Sequence, residues 1–296
     1  MKPIWWSVFL LVIRSASLSA QDAGQDCIGR EQQAEQMIAR GEALAEQEQW
    51  EASLAQYRAA LEIYRACRNA HNTAVAYLKI AAVQTRTLQP REATATYEQA
   101  LAAVTGLNLT ELEAKIHFNQ AWAFYQCGEY PRAIEAFSAA RARYRRMPDE
   151  LMEARCSYGL GHSRSDREEY EAAIVDFMAA RQVFEKRQLP EEAALCDFAI
   201  GQAHYHLDHH EESLPFFQAA ANRFESLNQT ENQADCLRFW ASAEYMLDKN
   251  EHALQLYQQA RRLYPSQALL GIALCLNGEG HCYFDLEQYE NALTSF

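Results

Sequence analysis

The densest group of titratable side chains in this 296-residue sequence is "HYHLDHH", residues 204–210. His206 and His210 stand four apart there, the interval at which two imidazoles on one helix face can share a metal ion. The run crosses from a helical pattern into a polar turn, and Asp208 is its one carboxylate. A solvated turn accounts for it without a metal. Nucleophilic chemistry finds no better footing. "GHSRS" from Gly161 misses the serine-elbow pattern at its final position, and no dinucleotide fingerprint, phosphate-cradling glycine loop or HExxH is present. No spacing assembles a Ser/His/Asp or Cys/His set. The sequence therefore predicts no catalytic residue, no cofactor and no metal.

Eight cysteines remain to be explained. Cys156, Cys196, Cys236 and Cys275 follow one another at intervals of 40, 40 and 39 residues. Equivalent positions in stacked units lie one helix-pair spacing apart, beyond the span of a disulfide, so these four read as small apolar fillers. Cys127 falls in a turn and Cys282 in a late helix. Cys27 and Cys67 fall near the same end of the first helix pair, where a bridge and two free thiols both fit the spacing.

The cysteine interval belongs to a wider pattern. Alanine recurs every forty residues at Ala60, Ala100, Ala140, Ala180, Ala220 and Ala260. Three residues before each stands an aromatic: Tyr57, Tyr97, Phe137, Phe177, Phe217 and Tyr257. Four before the aromatic comes a small residue, from Ser53 to Ala253, and sixteen before it a Gly or Ala: Gly41, Ala81, Ala121, Gly161, Gly201 and Ala241. A seventh copy starts with Gly280 and Ala292 and reaches its aromatic at Phe296. Offsets of four and three place side chains on one helix face, so the small residue, the ring and the alanine share a helix. The Gly/Ala column occupies a separate helix, with polar breaks such as "CGEYP" and "LDKNEH" between the two. Thr110 with Glu113 and Thr230 with Gln233 fit capping boxes at helix starts. Pro148, Pro190 and Pro265 fall in the links.

These columns resemble the tetratricopeptide repeat, whose signature is a Gly/Ala, a second small residue, an aromatic and an Ala at those offsets. The resemblance spans residues 28–296. The standard unit has about 34 residues; the six extra here sit in the links and lengthen both helices. It implies an all-α fold, a right-handed α–α superhelix of six full helix pairs plus a partial seventh, with copies ending near residues 67, 107, 147, 187, 227 and 264.

The same resemblance implies a function. In that superfamily the first helices line a concave groove that binds a peptide or another protein. Carried over residue by residue, the groove positions are Phe118, Trp122 and Tyr125, then Tyr158 and His162, then Tyr205, Arg238 and Tyr245, with Lys115 and Arg155 one turn earlier. Phe118 and Tyr158 serve equally well as packing between neighbouring repeats. A non-catalytic protein- or peptide-binding scaffold follows. The alternative is the sensor or substrate-recruiting region of a larger enzyme, since the array also resembles exported bacterial arrays preceding CHAT peptidase domains or fused to signalling kinases. Phe296 falls midway through the seventh second helix, and the chain reads as the N-terminal piece of something longer.

Composition narrows the partners. A formal charge of −13 argues against nucleic acid, which calls for a basic face. At the N-terminus Lys2, about ten apolar residues from Ile4 to Ile13 and a small polar stretch ending at Ala20 outline a secretory signal, too short to span a membrane. Cleavage after Ala20 is expected, then a short segment over 21–27, with the mature chain exported to the periplasm or beyond. No membrane association apart from export is expected; the oligomeric state is left open.

Overall fold

A computed structural model describes residues 5–296, with side chains from residue 26 onward. The expected signal segment, residues 1–20, lies outside the part whose side chains are described. Fourteen helices and no strand occur among the described residues. They fall in two compact units, Met1–Cys127 and Gly128–Phe296. The first holds α1 (Trp5–Glu46), α2 (Trp50–Ala66), α3 (Ala70–Arg86), α4 (Pro90–Val104) and α5 (Thr110–Gln126). The second holds α6 (Tyr130–Arg146), α7 (Glu150–Ser165), α8 (Tyr170–Lys186), α9 (Pro190–His206), α10 (His210–Ser226), α11 (Thr230–Met246), α12 (Asn250–Leu263), α13 (Leu269–Asp285) and the seven-residue α14 (Tyr289–Ser295). Within each unit consecutive helices pack side by side, the expected all-α architecture of α–α repeats, and in chain order the helices make six full pairs and a partial seventh. No described helix is long and apolar enough to cross a membrane.

The repeat columns are packing columns. Tyr57, Tyr97, Phe137, Phe177, Phe217 and Tyr257 are buried, and so is every alanine of the column from Ala60 to Ala260. Where this column is glycine, the ring lies on the glycine of its own copy: a Cβ added at Gly41 would stand 2.5 Å from Tyr57, at Gly161 2.6 Å from Phe177, and at Gly201 2.7 Å from Phe217. In α7 a second glycine, Gly159, receives the tip of Phe137 from α6, so two rings flank one helix. Glycine in a helix interior costs about 1 kcal/mol relative to alanine. Here it leaves the space that a ring fills. The four cysteines of the repeated column, Cys156, Cys196, Cys236 and Cys275, are fully buried, as small fillers should be. Burial also pushes their thiols up, to about 12 for Cys156 and Cys275.

Links of three to five residues recur about every twenty residues, and most turn on a left-handed residue. Glu48, Arg68, Leu88, Asn108, Glu168, Gln188, Asp208, Asn228, Asp248 and Glu287 all have φ between 53° and 62°. The residue after most of them closes the helix by a six-residue reverse bond, as in Asn69 N–H to the Tyr64 carbonyl and His209 N–H to that of His204. At the equivalent place Pro148 cannot take a positive φ. The chain leaves α6 instead through an extended Met147 (φ −105°, ψ 91°), the conformation that a following proline enforces.

The capping boxes are not formed. Thr110 and Thr230 occupy the first helical positions of α5 and α11; the preceding Leu109 and Gln229 are the N-caps and give no side-chain cap bond. The left-handed Asn108 and Asn228 turn the chain sharply enough that each helix begins one residue early, which carries the hydroxyl past the capping position. Asn69 and Asp149 cap instead, accepting from the N–H of Asn72 and Met152.

Arginines that follow the alanine column are tied to buried carboxylates in the second unit. Asp176 receives Arg141 at 2.9 Å and also Arg164. Arg181 Nε stands 2.7 Å from Asp197 and Arg223 Nε 3.3 Å, ion-pairing distances off the line of a hydrogen bond. Glu279 receives Arg261 at 2.6 Å.

Candidate interaction surface

The second helices bury their column aromatics in the core, and the first helices carry the residues that the sequence places along the groove. In the first unit α5 presents Phe118, Trp122 and Tyr125, all half-buried. Their spacing of four and three stacks them along one face, edge to face, with centroids 6.5 Å and 5.6 Å apart. One turn earlier Lys115 Nζ lies 2.6 Å from Glu111, an exposed i, i+4 pair that holds the Glu111 carboxyl below its ordinary value. The pair borders a cleft of about 690 Å³ between α3 and α5, walled by Val75, Leu78, Lys79, Leu109 and Leu112. Lys79 is itself engaged by Glu42 at 2.6 Å.

In the second unit the expected residues separate into two kinds. Tyr158 and His162 lie one turn apart on α7, with centroids 4.5 Å apart, and both turn toward Phe177 of α8, at 5.9 Å and 5.1 Å. Tyr158 also reaches Phe184. Burial raises the Tyr158 phenol and lowers the His162 imidazole, against the opposing pull of Asp166. This pair is chiefly helix-to-helix packing, the second of the two roles its position allowed. Arg155 is exposed at the start of the same face, its guanidinium 3.9 Å from Met152 Sδ.

Tyr205 and Arg238 are brought together instead, and by a residue that the repeat columns did not single out. Phe239 on α11 stands where the neighbouring copies have Gly159, Ala199 and Gly278. A ring cannot fit that slot beside Phe217, so it stacks on Phe217 at 5.8 Å and is displaced toward α9. There it meets Phe198 at 5.4 Å and Tyr205 at 6.2 Å, both edge-on. The Arg238 guanidinium lies 4.4 Å over the Phe239 ring. It is fixed from behind: Arg238 Nε donates to the Tyr264 hydroxyl at 3.3 Å, which donates to Asp235 at 2.6 Å. Phe198, Tyr205, Arg238 and Phe239 thus form one half-buried patch across α9 and α11. The signal was present in the sequence as a ring two positions before the Gly/Ala, where the copies on either side have Ala199 and Gly278. Tyr245 lies further along α11 and approaches His281 at 6.2 Å, apart from this patch.

The histidine run does not converge. His204 stacks on Phe216, His206 stacks on Tyr170, and His210 tilts against Tyr205. No group of three or more His, Cys, Asp or Glu able to hold a metal occurs among the described residues. Cys27 and Cys67 are neighbours: the Cys67 thiol is 3.9 Å from the Cys27 carbonyl oxygen, and both thiols are free in the structure.

Family models described as tetratricopeptide repeat match residues 28–105 and 78–148. Among curated proteins none matches the sequence. Solved structures share the fold at low identity. A signal transduction ATPase with numerous domains from Pyrococcus horikoshii, a protein with a tetratricopeptide repeat sensor, superposes with a TM-score of 0.77 at 12% identity; the match covers 93% of this chain and 43% of that one. The chain therefore spans less than half the length of that protein. A Rap protein complexed with Competence and Sporulation Factor gives 0.56 at 13% identity, over 90% of this chain and 74% of the other. A tetratricopeptide repeat protein from Parabacteroides merdae gives 0.61 at 17%, over 89% and 91%. At such identities the likeness is one of fold.

Proposed function

Because the chain belongs to the tetratricopeptide-repeat superfamily, whose members generally act as non-catalytic interaction scaffolds, we propose that it binds an extended protein or peptide segment across its first helices. The observation that carries this reading is the patch of Phe198, Tyr205, Arg238 and Phe239. Its rings are held by packing, so little conformational entropy is lost when a partner covers them. Its cation is fixed in advance by Tyr264 and Asp235. The Rap complex supports the reading, since a protein of the same fold is there bound to Competence and Sporulation Factor.

The test is selection of extended peptides from a displayed library on the full chain, followed by affinity measurements on variants. Phe239→Ala and Tyr205→Ala should each weaken a selected peptide tenfold or more, about 1.4 kcal/mol or above. Val175→Ala, at an exposed site on α8, should leave it unchanged. Selected peptides that bind both patch variants as tightly as the wild type would place the interface elsewhere and defeat the proposal.

A second reading draws on the ATPase with its tetratricopeptide repeat sensor. In it this array is the sensing or substrate-recruiting region of a larger enzyme, of CHAT-peptidase or signalling-kinase type. The same surface would serve, and the ligand would be the signal or the substrate. Export past the cytoplasmic membrane, with removal of residues 1–20, is part of both proposals.

A further inference from the structure

We propose that Cys27 and Cys67 are a disulfide-forming pair that staples the middle of α1 to the link between α2 and α3. The two residues are forty positions apart in sequence, one repeat, and the fold returns them to the same place: Cys67 Sγ lies 3.9 Å from the Cys27 carbonyl oxygen. The Cys67 sulfur thus meets the backbone of Cys27, and the two thiols are close enough to interact with each other as side chains, the approach that a bridge between them requires.

The surroundings hold both partners in register. Cys67 is the C-cap of α2, and Arg68 after it takes the left-handed conformation (φ 56°) that turns the chain back. Asn69 then bonds in two directions. Its Oδ1 accepts from Asn72 N–H and caps α3, while its Nδ2 donates to Glu31 Oε1 at 3.1 Å. Glu31 is one helical turn beyond Cys27 on the same face of α1, so link and helix are tied beside the sulfur pair. Both cysteines are half-buried and within reach of a small oxidant. Five of the other six cysteines, Cys156, Cys196, Cys236, Cys275 and Cys282, are buried, and Cys127 is half-buried.

The chemistry balances as a two-electron exchange with an oxidant that is itself a disulfide, either a small molecule or a thiol–disulfide oxidoreductase. One cysteine thiolate attacks the oxidant's S–S bond, forming a mixed disulfide and releasing one thiol. The second cysteine thiolate attacks the sulfur of the first, closing the Cys27–Cys67 bond and releasing the oxidant's other thiol. Two thiol protons leave the protein and the oxidant is reduced to two thiols. The Cys67 thiol is pushed up to about 11, first by its hydrogen bond with Cys27 and then by burial; Glu31 adds to the rise and Arg30 opposes it. The Cys67 thiolate is therefore scarce at neutral pH, and exchange that starts from this sulfur should speed up as the pH rises.

Reduced full-length protein would be incubated with oxidised glutathione at pH 8, quenched in acid, denatured, alkylated with iodoacetamide and mapped by mass spectrometry. The expected result is joint loss of alkylation at Cys27 and Cys67 and a linked species lighter by two hydrogens. Neither Cys27→Ser nor Cys67→Ser should give that species. The linked form should also resist proteolysis in the α1–α2 region better than the reduced one. Full alkylation of both cysteines in protein that circular dichroism shows folded would overturn the proposal. So would a persistent glutathione adduct on either residue, or linkage of either to another cysteine. Peptide binding plays no part in these readouts, so the result stands apart from the proposed interaction function.

Discussion

Replacing Gly159 with alanine should destabilise the protein, although the same exchange in an ordinary helix is stabilising. Gly159 sits in the middle of α7, and alanine there would gain about 1 kcal/mol of helix propensity. The new Cβ would stand 2.4, 2.5 and 2.8 Å from Cζ, Cε1 and Cε2 of Phe137. Those distances fall about 1 Å inside carbon–carbon contact. Phe137 meets the glycine with the tip of its ring and is fully buried, so relief requires moving a packed ring or the helix itself. Overpacking of this kind costs about 1–3 kcal/mol, and against the propensity gain of about 1 kcal/mol the net loss should be about 0–2 kcal/mol, toward the upper end because the contacting ring is fully buried. Gly29 is the control: it lies exposed in α1 with nothing within 4 Å of a Cβ, so Gly29→Ala should be neutral or slightly stabilising. A repeat array can unfold in stages, so urea denaturation followed by circular dichroism should be joined by hydrogen exchange of α6–α8. In a Phe137→Leu background the clash is gone, and Gly159→Ala should cost nothing further. The reasoning fails if Gly159→Ala raises the urea midpoint as Gly29→Ala does, or if the Phe137→Leu background leaves its cost unchanged.

Three further outcomes are expected. Asp197→Ala should cost about 1–3 kcal/mol, because it leaves the partly buried Arg181 and Arg223 with Glu185 alone as their shared counter-charge; a loss below about 0.5 kcal/mol in denaturation would mean that the Asp197 pairs add nothing. Burial holds the His162 imidazole below its ordinary value of 6.5, so above that value both folded and unfolded chains are neutral there and its contribution is present in full. As the pH falls below 6.5 the unfolded chain takes up the proton first and stability drops; His162→Gln should flatten that slope, and an unchanged pH profile would refute the assignment. Mass spectrometry of protein recovered from the producing cell should find an N-terminus at Gln21 outside the cytoplasmic membrane, and intact Met1 in the cytosol would refute export.

The sequence alone determined the repeat, its helix pairs and its core. A ring placed every forty residues opposite a glycine or alanine can be buried in only one arrangement, and the small residue, ring and alanine at offsets of four and three fix which face turns inward. The second-helix positions could therefore be read without coordinates, down to the cysteines that fill the stack. The links were less legible. Glu48, Arg68 and Leu88 carry no local preference for a left-handed backbone, and only the docking of the flanking helices supplies the free energy that holds them there. The capping threonines failed for that reason, since a link set by packing starts the helix one residue before the motif. The surface was decided by tertiary structure almost entirely. Tyr158 and Tyr205 are groove positions on equal terms in sequence, yet the first faces Phe177 and the second Phe239. Whether a first-helix aromatic is spent on its neighbour or left for a partner depends on how much room the opposing column leaves. That room is set in the column two residues before the Gly/Ala, where Gly159 admits the Phe137 ring and Phe239, too large for the slot, is displaced toward Tyr205.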